Sequence, residues 1–174
     1  METLRLLLPD ESMISEIEEY RRVMLEAGSS MDGTGSLYRH DANEWLANCR
    51  ALSSEETCPE GWVPATQYVC MREADGRIVG MIDLRHRFND FLREYGGNIG
   101  YSVRPDERRK GYAKWMLACV LQEAKRLEMA RVLVTFDAEN EGSRRTIEAN
   151  GGVFERETVL AGEDLILRRY WINT

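Results

Sequence analysis

The chain has 174 residues, 30 acidic and 23 basic side chains, a formal net charge of −7 and 43% hydrophobic residues, the composition of a single globular domain spanning residues 1–174. A domain of this length buries roughly 70% of its unfolded surface, so neither disulfides nor a structural metal is required to hold it. The acidic balance argues against nucleic acid and anionic lipid as partners, and no run nears the roughly 18 consecutive apolar residues of a membrane span.

Thr3 to Leu8 reads as a first strand, and Pro9-Asp10-Glu11 supplies the turn, cap and acidic first turn of a helix striped by Met13, Ile17, Tyr20, Met24 and Ala27. Gly28 to Gly35 has loop composition, with enough glycine to act as a mobile cover. Asp41 caps a second helix running to Leu52, followed by a loop from Ser53 to Pro64. Period-two runs at Gln67 to Arg72 and Arg77 to Leu84 flank an Asp75-Gly76 hairpin signal. Beyond a polar connection from Arg85 to Gly97, Asn98 to Val103 is a strand stopped by Arg104-Pro105-Asp106. A long amphipathic helix follows, with Ala113, Met116, Leu117, Val120, Leu121, Ala124 and Leu127 on one face. Arg131 to Asp137 reads as a central strand buried on both faces, Asn140 to Asn150 as a short helix, and Val153 to Val159 with Leu165 to Ile172 as a closing strand pair. The expected fold is mixed α/β (α+β), with a mostly antiparallel six- to seven-stranded sheet flanked by about four helices.

Cys49, Cys58, Cys70 and Cys119 form no C-x-x-C pair and no basic-then-apolar leader precedes them, so reduced thiols and a cytoplasmic location are expected. With only two histidines the chain has a poor ligand supply for zinc, and no metal is expected. G-x-S-x-G and P-loop signatures are absent, and Gly33-Thr34-Gly35 lacks the context of a dinucleotide fingerprint.

Five basic and two acidic residues between Arg104 and Lys114 put a local charge of +3 at the start of the long helix. Helix N-termini ordinarily favour negative charge, and a bound anion resolves the mismatch. Unsatisfied first-turn amides accept phosphate oxygens, flanking cations neutralise them, and small residues at Gly111 and Ala113 let the anion approach.

Residues 103–113, VRPDERRKGYA, resemble the acyl-CoA-binding motif of the GNAT superfamily of N-acyltransferases, V-x-P-x-x-R/Q-x-x-G-x-G/A, with Arg108, Gly111 and Ala113 on its defining positions. Asn140, Ser143 and the Asn150 to Glu155 stretch are similar to the family's later N-x-x-(A/S) helix and its ending, so the likeness is carried by residues 98–155. The resemblance implies acetyl-CoA in a V-shaped gap between the strand ending at Val103 and the strand Arg131 to Asp137. Pyrophosphate would lie on the amides of Arg109, Lys110, Gly111, Tyr112, Ala113 and Lys114, beside Arg108. Pantetheine would pair with the main chain of Ile99, Tyr101, Ser102 and Val103, near Asn140 and Ser143, although Asn140 is equally a helix cap. The implied activity is direct acetyl transfer to an amine of a small molecule or a peptide N-terminus, with a homodimer through the terminal strands as a further partner.

Such a reaction needs a neutral amine, an oxyanion donor, for which a main-chain N–H of Ile99 to Val103 is the candidate, and a route for the departing thiolate. Many members of the family carry a tyrosine seven residues after the position of Asn140, where this chain has Ile147. Tyr101 is the candidate substitute acid. The connection that would overlie the acceptor offers His86, Asp83 and Glu94 as candidate bases or anchors, with Asn98 beside them. Arg85 and Arg87 would instead favour a carboxylate, so the charge of the acceptor stays open. Ile147 also keeps a competing reading in view: an acetyl-CoA sensor that has lost catalysis.

Overall fold

The computed structural model describes residues 2–174. Seven strands and four α-helices follow one another as β1 (Leu4–Leu7), α1 (Ile14–Glu26), α2 (Ala42–Leu52), β2 (Ala65–Arg72), β3 (Arg77–Arg85), β4 (Ile99–Val103), α3 (Tyr112–Arg126), β5 (Arg131–Asp137), α4 (Glu141–Glu148), β6 (Val153–Val159) and β7 (Ile166–Asn173). The strands form one sheet in the order β1-β2-β3-β4-β5-β7-β6. Every neighbouring pair is antiparallel except β4 with β5. The mixed, mostly antiparallel sheet with about four helices is therefore as expected.

Two apolar clusters hold helices to opposite faces of the sheet. Ile17, Tyr20 and Met24 of α1 and Trp45 and Leu46 of α2 meet Val69, Ile78 and Met81. Met116, Leu117, Val120 and Ala124 of α3 and Ile147 of α4 meet Ile82, Ile99, Val132 and Val134. β3 is buried along Ile78–Leu84, and β5 is buried at Val132–Val134, as a nearly unbroken apolar run requires. Caps work as the sequence indicates: the Asp41 carboxylate accepts from Glu44 N at 2.9 Å and Asn140 Oδ1 accepts from Ser143 N at 3.0 Å.

Three details depart from expectation. The first helix opens as a 3-10 turn over Glu11–Met13 before α1, and the polar connection after β3 contains a π-helical turn over Leu92–Gly96. More consequentially, the Gly28 to Gly35 loop is tied down instead of forming a free cover. Gly33 O accepts from Gln67 Nε2 at 2.7 Å and Thr34 O accepts from the buried Trp45 indole at 2.6 Å. Among the described residues no helix is long and apolar enough to cross a membrane.

Candidate acyl-CoA cavity

The site begins where the sheet splays. β4 and β5 are in register at Ile99↔Val134 alone, whereas β3 and β4 pair from Gly80↔Val103 to Leu84↔Ile99. The closed end of the wedge is clamped by Asn98, whose N–H donates to Leu133 O at 2.7 Å and whose Oδ1 accepts from Leu133 N at 2.8 Å. Bonds from Arg85 N to Asn98 O (2.7 Å) and from Arg104 N to Val79 O (3.0 Å) set the phase of the β3–β4 ladder. In an antiparallel ladder bonding residues alternate, so the even-numbered residues of β4 bond β3 and the main-chain groups of Tyr101 and Val103 face the gap. Val103 O is taken by Arg108 Nε at 3.1 Å, which leaves the Tyr101 groups and Val103 N–H for a ligand.

Opening from this edge is a cavity of about 800 Å³. Its walls are β4 from Tyr101 to Val103, the start of α3, the α4 residues Asn140, Ser143, Arg145 and Thr146, and the loop from Ala27 to Asp32. At the start of α3, Arg109 (φ 64°) and Gly111 (φ 86°) are both left-handed, and no side chain caps the helix. Trp115 N reaches Gly111 O, so the preceding amides lack helical partners. A Cβ on Gly111 would meet nothing within 4 Å, so the space before those amides is open.

The charges around the opening fall into two sets. Arg108, Arg109, Lys114 and Arg145 line the cavity with no carboxylate partner among the described residues. The buried Glu107 holds Arg72, Arg77 and Lys110 at 2.9, 2.7 and 2.6 Å. Lys110 is thus committed to Glu107 and does not itself line the cavity, and Arg104 is buried against Asp106 and Glu19 as part of the scaffold. Ile99 sits in the core at the apex of the wedge. Tyr101, Ser102, Val103, Arg108, Arg109, Gly111, Tyr112, Ala113, Lys114, Asn140 and Ser143 all line the cavity. Sequence reasoning missed Arg145 and Thr146, and it read the Gly28 to Gly35 loop as a cover without naming the residues that enter the wall. Thr146 was recoverable, because it lies one helical turn beyond Ser143.

The candidate bases are elsewhere. His86 Nε2 lies 2.7 Å from Thr66 Oγ1, and burial lowers its pKa. Glu94 is bonded to Arg156 and Thr158 at 2.8 Å, and the Arg156 guanidinium holds its carboxyl below the usual range. Asp83 accepts from Gly100 N at 2.9 Å and pairs with Arg85 at 3.2 Å. None of the three lines the cavity. Tyr101 does, but its hydroxyl donates to Ser143 O at 3.4 Å and burial pushes it up to about 12. Ile147, at the position of the missing tyrosine, is fully buried in the core. Among the described residues no group of His, Cys, Asp or Glu side chains is arranged to hold a metal ion.

Solved structures of similar fold have sequences far from this one. The ribosomal-protein-S5-alanine acetyltransferase of Vibrio fischeri matches with a TM-score of 0.74 and 16% identity, over 99% of this chain and 94% of that one. RimL, a ribosomal L7/L12 alpha-N-protein acetyltransferase in complex with coenzyme A, matches with 0.71 and 16%, over 98% and 94%. The spermidine N-acetyltransferase of Vibrio cholerae, in complex with CoA and spermine, matches with 0.65 and 18%, over 98% and 95%. No curated protein sequence matches the chain. The family model described as the acetyltransferase (GNAT) domain covers residues 4–153, from β1 to the start of β6, and the chain belongs to that family.

Proposed function

We propose that the protein transfers an acetyl group from acetyl-CoA to an amine, of a small molecule or a peptide N-terminus, by direct attack on the thioester. The observation that carries this reading is the union of an unpaired strand edge at Tyr101 and Val103 with free amides and unpaired cations at the start of α3. A pantetheine arm adds to the edge as a half-strand, and a pyrophosphate fits the amide-lined opening in front of Gly111. Arg108, Arg109 and Lys114 neutralise it, while Asn140 and Ser143 border the arm from α4. Tyr101 N–H, facing the gap, is the donor for the oxyanion of the tetrahedral intermediate. CoA or acetyl-CoA in proteins of this fold agrees with that assignment.

The cavity wall contains no imidazole. The amine therefore attacks in the fraction that is neutral in solution and gives up its proton to water at the open mouth. The thiolate, conjugate to a thiol of pKa about 8.5, leaves without a protein acid.

Calorimetric titration of wild type and Gly111→Glu with acetyl-CoA tests the cradle. Micromolar binding weakened at least a hundredfold by the substitution is expected, because a side chain there projects into the phosphate space and adds negative charge. No binding by wild type at millimolar ligand would overturn the acyltransferase reading. Binding without thiol release in the presence of any amine would favour the sensor, the reading that Ile147 keeps alive.

A further inference from the structure

We infer that Asp32 is the anchor for the acceptor, and that the acceptor is a cationic amine held at the acyl end of the cavity through an ammonium group other than the amine that attacks. The inference rests on the acetyl-CoA reading above and adds the chemistry of the second substrate.

Two carboxylates belong to the cavity wall, Asp32 and Glu107. Glu107 is saturated by Arg72, Arg77 and Lys110. Asp32 is exposed, accepts from the neighbouring Ser30 hydroxyl, and has no cationic partner among the described residues. Its place along the gap follows from the next residue. Gly33 packs so closely on β4 that a Cβ there would lie 2.2 Å from Gly100 O and 2.6 Å from Tyr101 Cα. Asp32 is therefore set beside Tyr101, whose main chain faces the gap and is the proposed oxyanion donor. The negative charge of Asp32 also adds to burial in raising the Tyr101 hydroxyl, as a carboxylate near that ring must.

The rest of the wall discriminates by position. Arg108, Arg109 and Lys114 gather at the start of α3, at the phosphate end, and Arg145 stands on α4, so a positive acceptor is repelled by these groups and attracted at Asp32, the wall carboxylate without a cationic partner among the described residues. The two arginines that the sequence offered for a carboxylate substrate are committed elsewhere. Arg85 donates to Gly96 O at 2.9 Å and pairs with Asp83, and Arg87 is bonded to Glu55 at 2.7 Å.

The test uses the full chain, thiol release from acetyl-CoA, and three probes: spermidine, an alanyl-lysyl peptide amide with a free N-terminus, and glutamate as an anionic amine. For Asp32→Asn the expected result is a KM for the cationic probe raised tenfold or more, with kcat within threefold of wild type and acetyl-CoA affinity unchanged by calorimetry. Asp32→Glu should recover most of the loss. An unchanged acceptor KM in Asp32→Asn, with acetyl-CoA still bound, overturns the inference and leaves the acetyl-CoA reading standing. A wild type that binds acetyl-CoA and acetylates glutamate but neither cationic probe, or none of the three, overturns it as well. A wild type that binds no acetyl-CoA removes both.

Discussion

The end of the cavity at α3, proposed for phosphate, and the end at Asp32, proposed for the acceptor, are built by different kinds of information. The phosphate end is local: the turn from Arg104 to Gly111, its left-handed residues and the first amides of α3 are contiguous in the chain. The acceptor end is assembled from afar, with Gly33 seated on Gly100, Gln67 reaching Gly33 and Trp45 reaching Thr34. A local device is stabilised by its own backbone conformation, whereas an assembled one depends on close approaches that a single methyl group can abolish.

Gly33 and Gly111 make the contrast testable, because both are left-handed and only one is crowded. Gly33→Ala has the largest expected effect. The new Cβ would sit within 2.2 Å of backbone at Gly100, so the loop must lift from β4 and lose its bonds to Gln67 and Trp45. Left-handed strain and two lost hydrogen bonds together predict a stability loss of about 3 kcal/mol in urea denaturation. Gly111→Ala meets no atom within 4 Å, so only the strain of about 1–2 kcal/mol should remain. Equal losses at the two positions would mean that the acceptor loop is not packed as described.

The same contrast explains what could be read in advance. The order of strands and helices, the Asp41 cap, the Asp75-Gly76 turn and the apolar run of β5 are written in local periodicity and turn chemistry, and all appear where expected. The start of α3 was legible for the same reason, down to Arg108, Gly111 and Ala113 in the cavity wall. The Lys110 side chain departs from the charge reading, because nothing in a run of three cations tells that one will turn back to a buried glutamate three residues earlier, while the expectation for its amide is untouched. The bases misled differently. His86, Asp83 and Glu94 are near one another in sequence, but partners from β2, β4 and β6 claim each of them. Asp32 could not be found from the sequence, since its position depends on Gly33 meeting a strand that is distant in the chain.

Glu107 joins the phosphate turn to the β2–β3 hairpin and should show an intermediate effect. Burial alone would raise its carboxyl, but bonds from Lys110 and Arg72 outweigh it and hold it below the usual range. A carboxyl with a depressed folded-state pKa adds stability that is fully present above its unfolded value of about 4.3 and is lost as pH falls through the folded value. Wild type should therefore lose more stability than Glu107→Gln between pH 5 and 3. At pH 7 the substitution should cost about 2 kcal/mol by leaving three cations without their shared partner. Parallel acid profiles for the two proteins would remove Glu107 from its structural role.

The smallest effect is expected at Tyr101, where the side chain and the main chain have separable roles. Its hydroxyl makes one long bond to Ser143 O, 3.4 Å, and burial pushes its pKa up to about 12. A phenol so reluctant to ionise is poorly matched to a thiolate whose conjugate acid has a pKa of about 8.5. Tyr101→Phe keeps the ring against the core and the N–H toward the gap, so kcat with spermidine should fall less than threefold. The rate should still rise with pH as the amine loses its proton, in wild type and variant alike. A hundredfold loss would instead make Tyr101 the acid that Ile147 cannot be, and would move the chemistry of this site from the backbone of β4 to its side chain.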